Sequence, residues 1–387
     1  MWLFLAGIVL LAYTGINIYT GVRLLGLARY FLPSFRGLIF WPLYILLCYS
    51  FILIYLLRLE RIRPLRQAVM YSLPVLVYLF LALLVLDAVR LALRLASRSL
   101  SPGFFAAGIV IALGITLLAM VYGTFHARDI RTVHYDITLN KGGRDAPLRI
   151  TLISDLHIGV SVEREWVARI VDAVNRTKPD LVCIAGDIFD NDLSLLRDFD
   201  GVAAELRRLQ PPLGVYACLG NHDVDRPSLK ALREETPVSP IYDLLKRADI
   251  ILLRDEVELV AGQFYLAGRK DANPIGVKQE RKSAAELAAG LDKSRPLVFL
   301  DHQPVDYPRE EEAGADLIFS GHTHRGQFFP GNIFTALIFK RAGAVDYGYW
   351  RGDTAQGVVS SGAGVWGPSI RIATNSEVAV VDIKFGN

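Results

Sequence analysis

Leu181-Val-Cys-Ile-Ala-Gly-Asp187 is the stretch that decides the reading of this 387-residue chain. Five apolar residues in a row, closed by a glycine, are short for a helix and suit a strand buried on both faces. The run then delivers a carboxylate. Two other stretches repeat the arrangement. Leu148–Ser154 ends at Asp155, and Leu213–Leu219 ends at Gly220-Asn221-His222-Asp223. Helical periodicity fills Val162–Arg176, ahead of Pro179, and returns over Phe199–Leu209. Strand, polar group and helix, three times over, is the alternation of an α/β protein that gathers polar groups at strand C-termini.

The flanking sequence extends the pattern. Val133–Leu139 alternates and reads as an edge strand. Pro240–Arg247 and Ser283–Gly290 read as helices. Ile250–Leu253, Val257–Val260 and Gln263–Gly268 read as short strands of a second sheet, which Val358–Ser361 and Val378–Ile383 complete. Leu297–Leu300 is a strand ending at Asp301-His302. Leu317–Ser320 is another, ending at Gly321-His322-Thr323-His324. The expected fold is α/β: a two-sheet β-sandwich flanked by helices. Two histidines one residue apart on a strand end can reach one metal cluster. Of the seven histidines, five lie in these strand-end segments.

Hydrophobic residues make up 52% of the chain, unevenly spread. Four runs of spanning length lie in residues 1–125: Met1–Tyr19, Gly37–Leu57, Ala68–Leu86 with a kink expected at Pro74, and Gly103–Tyr122. The first has no basic start and no small-residue cleavage site, so it reads as a retained helix and not a signal peptide. Arg90, Arg94 and Arg98 repeat every four residues on one helical face, and Asp87 sits just before them. Residues 1–125 carry ten Arg against two acids, a net of +8, whereas the rest holds 32 basic and 37 acidic residues, a net of −5. The basic balance therefore belongs to the membrane part and argues for no nucleic-acid partner. The expected division is a transmembrane region of four helices over 1–125, a linker with the edge strand over 126–147, and a catalytic domain over 148–387. Flanking arginines divide six against six between the two sides of the membrane, and Lys141 and Arg144 tip the balance toward a cytoplasmic catalytic half. Cys48, Cys183 and Cys218 sit in apolar runs and form no disulfide framework.

Asp-x-His, Gly-Asp, Gly-Asn-His-Asp, a single His and Gly-His-x-His, in this order, resemble the calcineurin-like metallophosphoesterases over about residues 148–383. Gly362-Ala-Gly-Val-Trp366-Gly-Pro and Arg371 resemble a membrane-associated bacterial branch of that family. A two-metal hydrolase needs a ligand shared by both ions, a carboxylate can bridge, and Asp187 is the candidate. The resemblance implies Asp155, His157 and His324 with Asp187 on one ion, and Asn221, His302 and His322 with Asp187 on the other. Imidazole, carboxylate and amide donors without thiolate suit two divalent ions, Mn²⁺ first and Fe or Zn²⁺ as alternatives. It further implies that a hydroxide shared by the ions attacks phosphorus in line. His222 would face the phosphate as charge stabiliser or acid, oriented by Asp190 or, nearer in sequence, Asp223.

Arg325 departs from the branch, which commonly has glycine there, and could grip a second phosphate or a sugar acid. The apolar run Phe328–Phe339, closed by Lys340-Arg341, is expected either to pack on the protein or to dip into the bilayer interface. The expected function is thus a membrane-anchored phosphohydrolase acting on a lipid-linked phosphoester or pyrophosphate, with the lipid bilayer as partner. The competing readings are a tethered phosphodiesterase on soluble substrates and a non-enzymatic scaffold.

Overall fold

In the first sheet, β1 (Ile130–Leu139), β12 (Ser376–Phe385), β2 (Leu148–Ile153), β3 (Leu181–Ala185), β4 (Val215–Cys218) and β5 (Ile250–Leu252) follow one another in that spatial order. The second runs β10 (Gly348–Arg351), β11 (Gln356–Val359), β9 (Leu317–Ser320), β8 (Leu297–Leu300), β7 (Phe264–Gly268), β6 (Glu256–Val260). β2, β3, β4 and β5 are mutually parallel, as are β7, β8, β9 and β11, so the ends that carry the polar motifs point the same way within each sheet. This is a computed structural model that describes residues 2–98, 101–142, 146–190, 193–223, 240–273, 280–341 and 343–386. The chain divides into two units, Met1–Gly123 and Thr124–Asn387.

The run Leu181–Ala185 is apolar throughout because both of its faces are buried. Leu181, Cys183 and Ala185 join the core between the sheets, with Phe264, Val298 and Phe319 of the second sheet. Val182 and Ile184 face the other way, onto Trp166, Val167, Ile170 and Val171 of the helix Arg164–Arg176. A third cluster lies under the outer face of the second sheet, where Phe299 and Ile318 meet Leu287 and Tyr307. Both sheets are therefore covered on both sides, as in α/β layering.

Two strands sit in a different sheet from the one expected. Ile250–Leu252 extends the first sheet, paired with β4. Ser376–Phe385 returns to the first sheet and inserts between β1 and β2, parallel to one and antiparallel to the other. Nothing in an apolar run names its sheet. Only the pairing does, and here a long C-terminal strand is buried on both faces over Ser376–Val381.

Among the described residues, three helical stretches are long and apolar enough to cross a membrane: Gly7–Phe31, Arg63–Leu95 and Pro102–His126. The fourth expected span, Gly37–Leu57, is a pair of helices, Gly37–Cys48 and Ser50–Leu56, bent by 64°. The count is therefore three, or four if the bent pair is one span. The bend is chemically supported. The Tyr13 hydroxyl donates to the Cys48 carbonyl and Ser50 Oγ donates to Leu47 O at 2.7 Å, so carbonyls at the break keep partners.

The stretch Arg63–Leu95 is interrupted at Tyr71, three residues before Pro74, between the helices Arg63–Met70 and Ser72–Leu95. Pro74 lies in the first turn of Ser72–Leu95, where its missing N–H costs nothing. That helix ends at Leu95, so Arg98 lies beyond the face it was expected to share with Arg90 and Arg94. Asp87 is not a lone charge either: Arg23 Nη2 and Tyr19 Oη both donate to its Oδ2 at 2.6 Å.

Candidate metal centre

The strand ends converge, and the backbone bends sharply where they do. Asp155, His157, Asp187, His322 and His324 all have positive φ, between 46° and 72°. Such conformations cost about 1–3 kcal/mol each for a non-glycine residue and gather at functional sites. Tight contacts hold the bends. Asp155 N donates to Gly186 O and His157 N to Asp187 O, each at 3.0 Å. His322 N donates to the Asp155 carboxylate at 3.0–3.1 Å. Glycine is required beside two of these residues: a Cβ on Gly220 would collide with the Asp187 carboxylate, and one on Gly321 with Asp155 and Ser154.

The side chains form three overlapping groups. Asp155, His157 and His324 offer donor atoms within 4.8 Å of one another, as do Asp187, His302 and His322, and also His157, Asp190 and His222. Asp187 touches members of the first and second groups. Its Oδ2 lies 3.6 Å from His157 Nε2 and 3.1 Å from His302 Nε2, while its Oδ1 accepts the His222 N–H at 2.8 Å. Asn221 Oδ1 lies 2.8 Å from His322 Nδ1. Asp155, His157, Asp187, Asn221, His302 and His324 are all buried, whereas His322 and His222 are half-buried.

Several features fit divalent ions. His157 Nε2 and His324 Nε2 face each other at 2.9 Å, a spacing at which two neutral ring nitrogens gain from a shared cation. His302 Nδ1 donates to Ala185 O at 2.8 Å, which leaves Nε2 as the free donor atom; it points toward Asp187 Oδ2 off the line of a hydrogen bond. Burial pushes His157 down to about 4 and His322 to about 3, and holds His324 well below the ordinary histidine range. Those imidazoles are therefore neutral, the form that binds metal. Burial, with Asp187 adding to it, outweighs His302 and pushes Asp155 up to about 6. Burial would also raise Asp187, but His302 and His157 outweigh it and hold Asp187 well below the carboxylate range. By the same pairing, Asp187 outweighs burial and lifts His302 above the histidine range.

The neighbours of the motifs have other tasks. The Asp223 carboxylate accepts Phe189 N at 2.8 Å and Gly220 N at 2.7 Å, tying two motif loops together. Asp190 is the carboxylate grouped with the His222 ring. Asp301 turns away from its neighbour His302 and binds the buried Arg269 at 3.1 Å and also Arg281. Arg269 reaches Asp306 and Glu310 as well, at 2.8 and 3.0 Å. Arg325 lays its guanidinium 4.3 Å from the centre of the Tyr347 ring.

Sequence reasoning gave no task to Arg371. It is fully buried and donates to Ser361 O (2.6 Å), Gly362 O (3.2 Å), Gly364 O (2.8 Å) and His324 O (3.3 Å). This cation staples the glycine-rich loop to a histidine of the site, and burial lowers its pKa to about 10. Its sequence signal was the resemblance to the membrane-associated branch, which gave it no role.

A family profile of calcineurin-like phosphoesterases matches residues 148–326. Phosphodiesterase YaeI of Escherichia coli is 30% identical over 224 residues, covering 56% of this chain and 76% of that protein. The chain belongs to the calcineurin-like phosphoesterase family. An uncharacterized metallophosphoesterase of Campylobacter jejuni is 26% identical over 312 residues, 79% of this chain and 78% of the relative. A transmembrane protein with metallophosphoesterase domain from Danio rerio is 30% identical over 304 residues, 75% of this chain and 66% of its own length. Calcineurin-like phosphoesterases bind two divalent metals, and the donor groups described above are this chain's candidates for them.

Proposed function

We propose that this protein is a membrane-anchored, two-metal phosphohydrolase that cleaves a lipid-linked phosphoester or pyrophosphate. The observation that carries the reading is Asp187, one buried carboxylate touching histidines of two separate donor groups. In this reading Asp155, His157 and His324 would hold one ion, Asn221, His302 and His322 the other, and Asp187 both. Divalent ions, Mn²⁺ by preference, would supply Lewis-acid stabilisation of the phosphoryl oxygens there.

The protein's own groups supply the rest. His222 is half-buried, and its ring stands edge-on to His157 with centroids 5.0 Å apart. It meets the phosphate at the rim, stabilises charge there and protonates the leaving oxygen, with Asp190 orienting the ring. Arg325 follows His324 directly and is the cation for a second phosphate or a sugar acid.

Two features favour a lipid-linked substrate. Only Ala127, Arg128 and Asp129 separate the helix Pro102–His126 from β1, so the catalytic unit has a short leash to the membrane. The helix Gly331–Arg341, five residues after the His324–Gly326 turn, has no buried residue. Ile333, Phe334, Leu337 and Ile338 are 47–63% exposed and form one apolar stripe, ending at Lys340 and Arg341. Such a helix suits the interface of an anionic bilayer. Replacing Phe334 and Ile338 by serine is expected to lower turnover of a vesicle-borne phosphoester about tenfold or more and to leave a soluble aryl phosphate alone. Equal losses on both would sink the lipid reading. The competing reading is a tethered phosphodiesterase on soluble substrates, whose reaction class agrees with the name of the Escherichia coli relative. In that case the double variant changes neither rate.

A further inference from the structure

Trp366 stands out against the packing of the unit around it. Its residue surface is 53% exposed although its neighbours Ala363 and Val365 are fully buried. Its ring centre lies 6.1 Å from that of His222, the histidine nearest the rim. An exposed indole on a mobile loop would mean little, but this one is rigidly mounted. Trp366 N donates to Gln327 Oε1 at 2.8 Å, and Gln327 Nε2 donates back to Trp366 O at 2.9 Å and to Pro368 O at 3.1 Å. Gln327 itself is buried, three residues after His324. Ser161 Oγ donates to Gly367 O at 2.8 Å. Upstream, Ala363 N and Gly364 N donate to Ser154 O and Asp155 O, and Arg371 holds the same loop from beneath. The backbone on either side of Trp366 is thus fixed to the site itself.

We infer that Trp366 is a specificity-determining wall of the site: its indole stacks on a flat ring, a nucleobase or the apolar face of a sugar, carried next to the phosphorus of the substrate. This rests on the phosphoester reading above and adds the substrate class to it. Holding a large apolar side chain at the rim exposes surface that the fold would otherwise bury, and stacking on a ring recovers that surface. The rigid backbone mount means that little main-chain freedom is lost on binding. The neighbouring His222 places the stacked group beside the phosphate, where a leaving group or its first sugar sits.

The test is calorimetric binding of phenylphosphonate against methylphosphonate to full-length, Mn²⁺-loaded protein. Neither ligand can be hydrolysed at its carbon–phosphorus bond, so the result does not depend on turnover. The phenyl compound is expected to bind about tenfold or more tightly than the methyl one. Trp366→Ala is expected to bring that ratio close to one, and Trp366→Phe to keep most of it. Melting curves of the three proteins show whether the loop survives the change. Equal affinity of the wild type for both ligands overturns the wall. So does a ratio that persists in a folded Trp366→Ala protein. Failure of both ligands to bind the wild type overturns the wall and the phosphate-binding reading together. Where the first result appears, a second pair of ligands, a nucleoside and a hexose monophosphate, tells base from sugar.

Discussion

Asp187→Asn is expected to cut kcat/KM on any phosphoester by on the order of 10³-fold or more, about 4 kcal/mol of barrier. The carboxylate is in contact with both candidate ligand sets, through Oδ2 toward His157 and His302. An asparagine has nearly the same shape. It keeps an oxygen able to accept the His222 N–H, a bond now 2.8 Å long, so the fold should survive. What it loses is the negative charge, and with it the capacity to bridge two cations. Metal bound per chain should fall together with activity. Turnover of a soluble aryl phosphate, read beside elemental analysis, checks both. A variant that hydrolyses at the wild-type rate would remove Asp187 from the site.

His222→Ala is expected to fail differently. Its side chain touches the rim and not the centre of the two donor groups. Loss of a positioned acid costs about 10²–10⁴-fold in rate. The fall should appear in kcat while metal content stays at the wild-type level, because His222 is assigned no ion. Metal loss equal to that of Asp187→Asn would make His222 a ligand, and an unchanged kcat would take it out of the chemistry. Both variants probe one constellation, yet they separate in metal content.

The sequence made the site legible because each motif follows an apolar run directly. A buried strand must end, and a carboxylate or imidazole at its tip marks where several strands point together. That rule led from Leu181–Ala185 to Asp187 and, by repetition, to the strand ends at Asp155, Gly220–Asp223, Asp301-His302 and Gly321–His324, and the family resemblance named the ligands among them. The rule did not distinguish Asp301 from His302, since neighbouring residues point to opposite sides. In the fold the carboxylate goes to Arg269 and the imidazole to the site. Nor did it show that Asp223 holds backbone N–H groups while Asp190 accompanies His222.

Sheet membership was hidden for a related reason. Ile250–Leu252 and Ser376–Phe385 are apolar strands like those of the second sheet, and only distant pairing partners assign them to the first. The break in Gly37–Leu56 depends on a hydroxyl from Tyr13, thirty-five residues away, and on the local Ser50. No window of hydropathy contains the first of these. The task of Arg371 was hidden too: the sequence marked the residue, but not that backbone carbonyls of the glycine-rich loop would hold its guanidinium.

The central claim is a pair of divalent ions joined by Asp187. The most direct test is the metal content of full-length protein, purified, saturated with Mn²⁺, freed of excess ion and measured by mass spectrometry against protein concentration. Two ions per chain, falling below two in Asp187→Asn, is the predicted result. None or one per chain in the wild type, or two in both proteins, would contradict it.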